Sequence, residues 1–235
     1  MAAARLASNT NSASVGPFAP EKPLAYELGV KIDVSSTLRL NASVFYYDYR
    51  DEQVLSKVFD PVSQSYIGSF VNVPRSQIHG AELEATLRPL EGLNIDQYFG
   101  YKEGKYKSTI LNGDTPPKDF NGLDLSFPKL SYGGDVSYAW PLGALNLTPE
   151  INHSYHDQYK QLFLLGPDCT LPAYWLANAN LTLTPRAGRS WSAALWVRNL
   201  FDRRYDVTRN FFLPGGYVAS AGEPATFGIR VKYVY

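Results

Sequence analysis

Hydrophobic and polar residues alternate along the C-terminal segment of the chain, residues 226–235. The hydrophobic positions are Phe227, Ile229, Val231, Tyr233 and Tyr235, and the positions between them include Gly228, Arg230 and Lys232. Successive side chains of a β-strand point to opposite faces, so the pattern predicts a strand with one apolar and one polar face. A last strand that ends on an aromatic residue is typical of an outer-membrane barrel, where the outward face meets lipid. We therefore expect Arg230 and Lys232 to face a watery lumen.

The same alternation recurs along the chain and predicts about nine strands. They are expected near residues 24–33, 38–58, 66–87, 93–102, 131–140, 145–155, 175–184, 191–198 and 226–235. Pro74 and Pro149 interrupt two of these segments, and each predicts a local bulge or break in the pairing because proline has no amide hydrogen to donate. Residues 1–22 are small, polar and punctuated by proline, so they are expected to form a loop or disordered segment before a barrel region at 23–235.

The predicted connections alternate in length along the chain. Short ones fall near Ser35, Glu91, Leu142 and Ala187, and long ones fall near Asp60, Thr115, Gly166 and Gly215. Short turns at one rim and long loops at the other are typical of a transmembrane barrel. The fold class predicted is therefore all-β, an antiparallel up-and-down transmembrane β-barrel, of which the chain forms a part. A soluble lipocalin-like barrel is the alternative, but the polar positions carry too many charges for a small packed interior.

Composition excludes several functions. Lys and Arg number 22 and Asp and Glu also number 22, so no basic field for nucleic acid exists. His153 and His156 are three residues apart and should point to opposite faces of a strand, which disfavours a shared metal. No phosphate-binding loop, nucleophile elbow or metal-type spacing appears, so we expect neither an enzyme nor a cofactor. The single Cys169 has no partner for an internal disulfide.

One segment carries a specific family resemblance. The run Asn199-Leu200-Phe201-Asp202 with Tyr205 resembles the Asn-Leu-Phe-Asp-x-x-Tyr motif in the C-terminal barrel region of TonB-dependent outer-membrane receptors. Weaker agreements follow at Gly222-Glu223-Pro224, Glu27-x-Gly29-x-Lys31, Phe45-Tyr46-Tyr47-Asp48 and Gly80-Ala81-Glu82-Leu83-Glu84. Ala225 and Tyr235 depart from the family pattern, which often has Arg and usually Phe there. We expect Asn199 and Asp202 to hold the chain where a strand leaves the membrane, and Tyr205 to extend the aromatic girdle.

The resemblance implies that the chain is a fragment, similar to the last nine strands of a barrel of about 22, and that the plug and early strands are absent. It implies TonB-dependent uptake of a scarce ligand, expected to be a ferric siderophore, in the cell outer membrane of a Gram-negative bacterium. The expected partners are outer-membrane lipid, the barrel-assembly machinery, the ligand, and the TonB complex through the absent N-terminal region. The terminal segment from Phe227 to Tyr235 resembles the signal that the assembly machinery reads. A passive pore or structural barrel without a plug is the alternative, and an outer-membrane enzyme is a third possibility for which no Ser/His pair is evident.

Aromatic and arginine side chains on the long loops are the candidates for ligand contact, because they offer the most contact area and charge-assisted bonding for each ordered residue. These candidates are Tyr159 and Phe163 on one loop and Arg209, Phe211, Phe212 and Tyr217 on another.

Overall fold

The computed structural model describes residues 18–60, 64–108, 119, 121–161, 169–188, 191–212 and 216–233, and everything regular in them is β-structure. The strands are β1 (Lys22–Asp33), β2 (Leu38–Asp60), β3 (Ser65–Leu87), β4 (Leu93–Tyr106), β5 (Leu130–Tyr138), β6 (Trp140–Leu142), β7 (Leu145–His156), β8 (Tyr159–Lys160), β9 (Thr170–Leu171), β10 (Tyr174–Pro185), β11 (Trp191–Arg198), β12 (Asp206–Phe212), β13 (Gly216–Ala221) and β14 (Thr226–Tyr233). Within those ranges, no helix is long and apolar enough to cross a membrane.

Ten strands form one antiparallel sheet in the order β1-β2-β3-β4-β5-β7-β10-β11-β14, with β6 beside β7. Each strand pairs with the next long strand in sequence, which is the up-and-down topology predicted from the alternation. β5 and β6 together occupy one predicted strand, so the sheet has the nine positions expected. The predicted fold class, part of a transmembrane up-and-down barrel, is confirmed.

The pairing register brings the predicted apolar positions to one side of the sheet. Val136 pairs with Ile95 on one neighbour and with Ile151 on the other. Leu195 in the same way pairs with Leu181 and Ile229. We call this side the apolar face; its exposed members include Leu28, Val44, Leu83, Phe99, Val136, Ile151, Leu181, Leu195 and Ile229. The opposite side, the polar face, carries Asn41, Glu84, Asp96, Asp135, Asn152 and Asn178. In a transmembrane barrel the apolar face is the outer one.

The last strand presents apolar side chains that are among the most exposed in the described part of the sheet. Phe227, Ile229, Val231 and Tyr233 are 84%, 75%, 74% and 62% exposed. Their partners across β11 are themselves on the apolar face, as the Ile229–Leu195 pair shows. Tyr235, predicted to share this face, lies outside the described residues.

Both prolines interrupt the pairing as predicted. The β2–β3 ladder passes from the Arg50–Arg75 pair to the Glu52–Val73 pair and skips the position of Asp51 and Pro74. Asp51 adopts a left-handed φ of 57° at this point. At Pro149 the β10 side of β7 stays paired, but on the other side the ladder lapses between the end of β5 and the start of β6.

At Asp51 the side chains of both strands change sides of the sheet, although the pairing register stays the same. Strict alternation would put Glu52 and Val73 on the apolar face, together with Arg75. The Glu52 carboxylate instead accepts a hydrogen bond from the Ser76 hydroxyl, which is on the polar face. Val73 is 0% exposed and packs with Tyr106 and Leu125 in a small hydrophobic cluster. Beyond the break, the β2–β3 hairpin therefore turns apolar side chains inward and supports the segment that leads to β5.

The structure differs from the prediction at three of the connections expected to be long. β2 and β3 each run for 23 residues, so only residues 61–64 lie between them and the connection near Asp60 is not long. The other two connections contain strands. Residues 206–223 form the β12–β13 hairpin, and β8 pairs with β9 within the loop expected at 159–172. Alternation over two to seven residues is too short a signal to separate a strand from a loop, which is why these elements were expected to be irregular.

Candidate functional site

Asn199 organises the turn that follows β11. Its side-chain amide donates to the carbonyl oxygens of Arg203 and Glu223, both at 2.9 Å, and its carbonyl oxygen accepts from the Arg203 amide at 2.8 Å. The side chain is 4% exposed, and its backbone has a left-handed φ of 49°. Asparagine adopts a left-handed φ more readily than most other non-glycine residues do. Asn199 thus holds both ends of the excursion that contains β12 and β13.

Asp202 completes this turn. It also has a left-handed φ, 47°, and its carboxylate accepts from the Ala225 amide at 2.9 Å, immediately before β14. The expectation that Asn199 and Asp202 bond the backbone where a strand ends is therefore confirmed.

The expectation that Tyr205 extends the aromatic girdle is wrong. The Tyr205 ring stacks on Tyr174, with the ring centroids 4.6 Å apart. Tyr174 belongs to the polar face, because its neighbour Trp175 belongs to the apolar one. Phe201 instead packs against Trp175, with centroids 5.6 Å apart, and extends the apolar face. The two left-handed residues of the turn redirect the chain, and strand parity cannot anticipate such a change.

Three rings form a row on the polar face, which we call the aromatic wall: His156, Tyr174 and Tyr205. His156 and Tyr174 are cross-strand partners with centroids 5.1 Å apart, and Tyr205 continues the row. Gly222 lies beneath Tyr205, where a Cβ would overlap the ring, and its amide donates to the Tyr205 carbonyl at 2.8 Å. The wall stands where β7 ends and β10 begins, at the rim that carries the long connections.

Arg209 joins the two hairpins at this rim. Its Nε donates to the Asp206 carboxylate at 2.6 Å, and its Nη1 donates to the Thr170 carbonyl, on β9, at 3.0 Å. Its backbone amide donates to the Gln161 side chain at 3.2 Å. The Arg209 and Asp206 side chains are 21% and 23% exposed, so the pair is only partly screened by water. A candidate chosen for ligand contact is therefore a link between β12 and the β8–β9 hairpin.

The other loop candidates are placed less fully. Tyr159 begins β8 and pairs with Leu171. Phe211 pairs with Tyr217, and Phe212 pairs with Gly216, across the β12–β13 hairpin. The side chains of Phe211, Phe212 and Tyr217 are not described, and Phe163 lies outside the described residues. The hairpin nevertheless brings three of the candidates to one tip.

A row of polar side chains crosses the polar face in register. One part runs from Asp135 to Asn152 at 2.9 Å and from Asn152 to Asn178 at 3.1 Å, where each asparagine amide is the donor. The Asn178 side-chain oxygen then accepts from the Asn199 backbone amide at 2.9 Å. Further along the row, Asp96 lies directly opposite Asp135. The sequence marked these residues as polar, but only the register shows that they form one row that ends at the Asn199 turn.

Among the carboxylates that the structure describes, Glu52 is the one whose pKa burial affects most. It lies beyond the apolar segment of β2, whose last outward apolar residue is Tyr46. Burial raises the pKa of Glu52, and the hydrogen bond from Ser76 opposes that rise. The pKa of the neighbouring Tyr106 is also raised, first by burial and then by the Glu52 charge. Burial at this enclosed position therefore favours the neutral form of Glu52 relative to a carboxyl group in water.

The two histidines considered for metal binding have separate neighbours. His153 Nε2 lies 3.0 Å from the Gln97 side-chain oxygen on the apolar face, whereas His156 belongs to the aromatic wall. Across the described ranges, no group of three or more His, Cys, Asp or Glu side chains is placed to hold a metal ion.

Comparison with known proteins identifies the family. A family model described as TonB dependent receptor-like, beta-barrel, matches residues 2–200. The chain belongs to this family. The resemblance seen at the Asn199 motif is confirmed, and members of the family reside in the outer membrane of Gram-negative bacteria, which is the location of this chain.

The relatives are receptors and transporters. The pesticin receptor of Yersinia pestis is 26% identical over 227 residues, which are 92% of this chain and 29% of the relative. The structure of the ferric yersiniabactin uptake receptor FyuA from Yersinia pestis matches with a TM-score of 0.67 and 22% identity, over 90% of this chain and 29% of that one. The copper transporter OprC matches with a TM-score of 0.68 and 17% identity, over 92% and 32%. The chain thus spans about 29% of the length of the curated relative it matches.

Proposed function

We propose that this chain is the C-terminal part of the barrel of an outer-membrane receptor that takes up a ferric siderophore with energy from TonB. The observation that carries the proposal is the two-faced antiparallel sheet of the family barrel, with long connections gathered at one rim. Uptake of an iron chelate by FyuA supports iron as the cargo. The chain would contribute barrel wall and loops over 23–235, with residues 1–22 as a leading segment. The plug and the remaining strands would come from polypeptide outside this sequence.

The proposed partners follow from this placement. Lipid would cover the apolar side chains of β14, namely Phe227, Ile229, Val231 and Tyr233. The barrel-assembly machinery would recognise the terminal segment from Phe227 through Gly228 to Tyr235. The TonB complex would act through the plug. In the proposed ligand site, Tyr159, Phe163, Phe211, Phe212 and Tyr217 contact the ligand from the rim, and Arg209 holds the two hairpins that carry them.

Uptake of labelled iron tests this function. The full-length protein would be expressed in a Gram-negative host that lacks its own siderophore receptors, with and without a functional TonB. We expect accumulation of radioactive iron, supplied as siderophore complexes, only when TonB is functional. Uptake that persists without TonB would support a passive pore instead. Accumulation of copper in place of iron would replace the cargo in the proposal.

A further inference from the structure

We propose that the β8–β9 and β12–β13 hairpins form one cap at the rim, which opens and closes as a single unit, and that Arg209 locks it. The cap is defined by the four strands of these hairpins together with Gln161 and Cys169. The inference goes beyond the proposed function, because it concerns how the chain is held at this rim and applies to any cargo.

The cap is separate from the barrel wall. β8 pairs with β9, and β12 pairs with β13, in two small sheets that lie outside the ten-stranded sheet. Within the described ranges, the contacts that these four strands make with other strands are made among themselves. The hydrogen-bonded ladder of the wall therefore stays complete when the hairpins open.

A buried core lies between the two hairpins. Cys169 and Leu171 are only 4% and 2% exposed, although both belong to a connection outside the main sheet. β12 is the strand of the other hairpin that contacts β9, the strand that carries Leu171. Separation of the hairpins would uncover this core, and the loss of apolar burial opposes that separation.

Arg209 adds polar contacts between the hairpins. Its Nη1 donates to the Thr170 carbonyl at 3.0 Å, and its backbone amide donates to the Gln161 side chain at 3.2 Å. The Gln161 amide in turn donates to the Cys169 carbonyl at 3.0 Å. One residue of β12 is thereby bonded to both arms of the β8–β9 hairpin.

A β-bulge brings Asp206 to Arg209. The two residues are three apart and would point to opposite sides of a regular strand. The pairing register of β12 with β13 shifts between Asp206 and Thr208, and a bulge of this kind redirects the side chains of its strand. The Asp206 carboxylate consequently reaches the Arg209 Nε, at 2.6 Å, and orients the guanidinium towards β9.

The buried Cys169 reports the opening of the cap. A maleimide reacts with this thiol only when it is accessible, so the labelling rate measures the open fraction when the cap opens and closes faster than the reagent reacts. The full-length protein in isolated outer membranes would be treated with a hydrophilic maleimide. Mass spectrometry would quantify the label on the peptide that contains Cys169. The same protein unfolded in urea gives the rate of a fully accessible thiol.

Arg209→Gln removes the guanidinium, and Arg186→Gln is the matched control. The Arg186 side chain also donates to a carbonyl, that of Gly143 at 3.4 Å, but at the opposite rim. We expect Arg209→Gln to label Cys169 about tenfold faster than the parent, which is the effect of one hydrogen bond to a charged group. Arg186→Gln should label Cys169 at the parent rate.

Each variant is first checked for the heat-modifiable mobility of a folded barrel. If Arg209→Gln does not fold, Asp206→Asn takes its place, because it weakens the lock and keeps Arg209. This variant should also label Cys169 faster than the parent. Labelling at the parent rate in the folded lock variant would overturn the role of Arg209. A parent thiol that reacts as fast as in the unfolded protein would overturn the closed cap itself.

Hydrogen exchange tests whether the two hairpins open together. Elements that share a core and hydrogen bonds open as one cooperative unit, so a change in one hairpin should loosen the other. In Leu171→Ala, amide exchange should rise by a similar factor in β8, β9, β12 and β13 and stay unchanged in β4. A rise confined to the β8–β9 hairpin would show that the hairpins open independently and would overturn the proposal.

Discussion

Replacement of Asn199 by alanine should be among the most destabilising single changes in this sheet. The change removes three side-chain hydrogen bonds, whose partners are the Arg203 amide and the carbonyls of Arg203 and Glu223. At about 1 kcal/mol each, these bonds contribute about 3 kcal/mol. Alanine must also adopt the left-handed φ of 49°, which costs about 1 kcal/mol more. The expected loss is therefore about 4 kcal/mol.

Asn180 provides the matched control. It lies on β10, makes one side-chain hydrogen bond, to the Glu150 carboxylate at 3.1 Å, and is only partly buried. Asn180→Ala should therefore cost about 1 kcal/mol. Urea unfolding of the full-length protein in phospholipid vesicles, followed by tryptophan fluorescence, gives both losses from the midpoints and slopes.

The comparison between the two variants tests whether the Asn199 side chain stabilises the turn. If Asn199→Ala and Asn180→Ala lose the same stability within about 1 kcal/mol, the Asn199 side chain does not hold the turn together. In that case the hydrogen bonds seen around it would be replaceable by water.

Three further outcomes are expected. Gly134→Ala should prevent or weaken folding, because the added Cβ would overlap the Asp96 carbonyl oxygen. Gly29→Ala should be tolerated, because the atom nearest to its added Cβ is 3.4 Å away. The yield of heat-modifiable barrel measures both effects. Burial raises the folded-state pKa of Glu52 above its unfolded value, so its contribution to stability is full at acidic pH and falls as pH rises through the unfolded and then the folded pKa. Glu52→Gln should consequently stabilise the protein at pH 8 more than at pH 4, and equal urea midpoints for variant and parent at both pH values would contradict the burial argument. Cysteine placed at position 229 should react with a lipid-soluble reagent and cysteine at position 230 should not; the reverse order would invert the register of β14.

The sheet itself was predictable from the chain because its signal is long. Ten or more alternating residues, as in Leu145 to Tyr155, fix both the strand and its facing, and a one-residue slip would move every apolar side chain to the wrong side. Pro74 and Pro149 were predictable as breaks for an equally local reason, the missing amide hydrogen.

The site was less predictable because its contacts join segments that are distant in sequence. Arg209 was chosen as a candidate for ligand contact, and nothing in the sequence showed that it donates to a carbonyl of β9, 39 residues away. Backbone acceptors such as the Thr170 carbonyl carry no sequence signal at all. Tyr205 was assigned to the wrong side because the chain turns through two left-handed residues, Asn199 and Asp202, after which strand parity no longer applies.

Because of the reversal at Asp51 and Pro74, the two halves of the β2–β3 hairpin follow separate patterns of inward and outward side chains. Strands that cross a membrane are normally bound to a strict odd–even count, and a single inserted residue exchanges the sides of everything downstream. Beyond Asp51 the inward and outward positions of the hairpin are set separately, by the hydrogen bond between Glu52 and Ser76 and by the buried Val73. The outer half of β2 and β3 can consequently vary in its own pattern of inward and outward side chains while the half that meets the bilayer keeps its orientation.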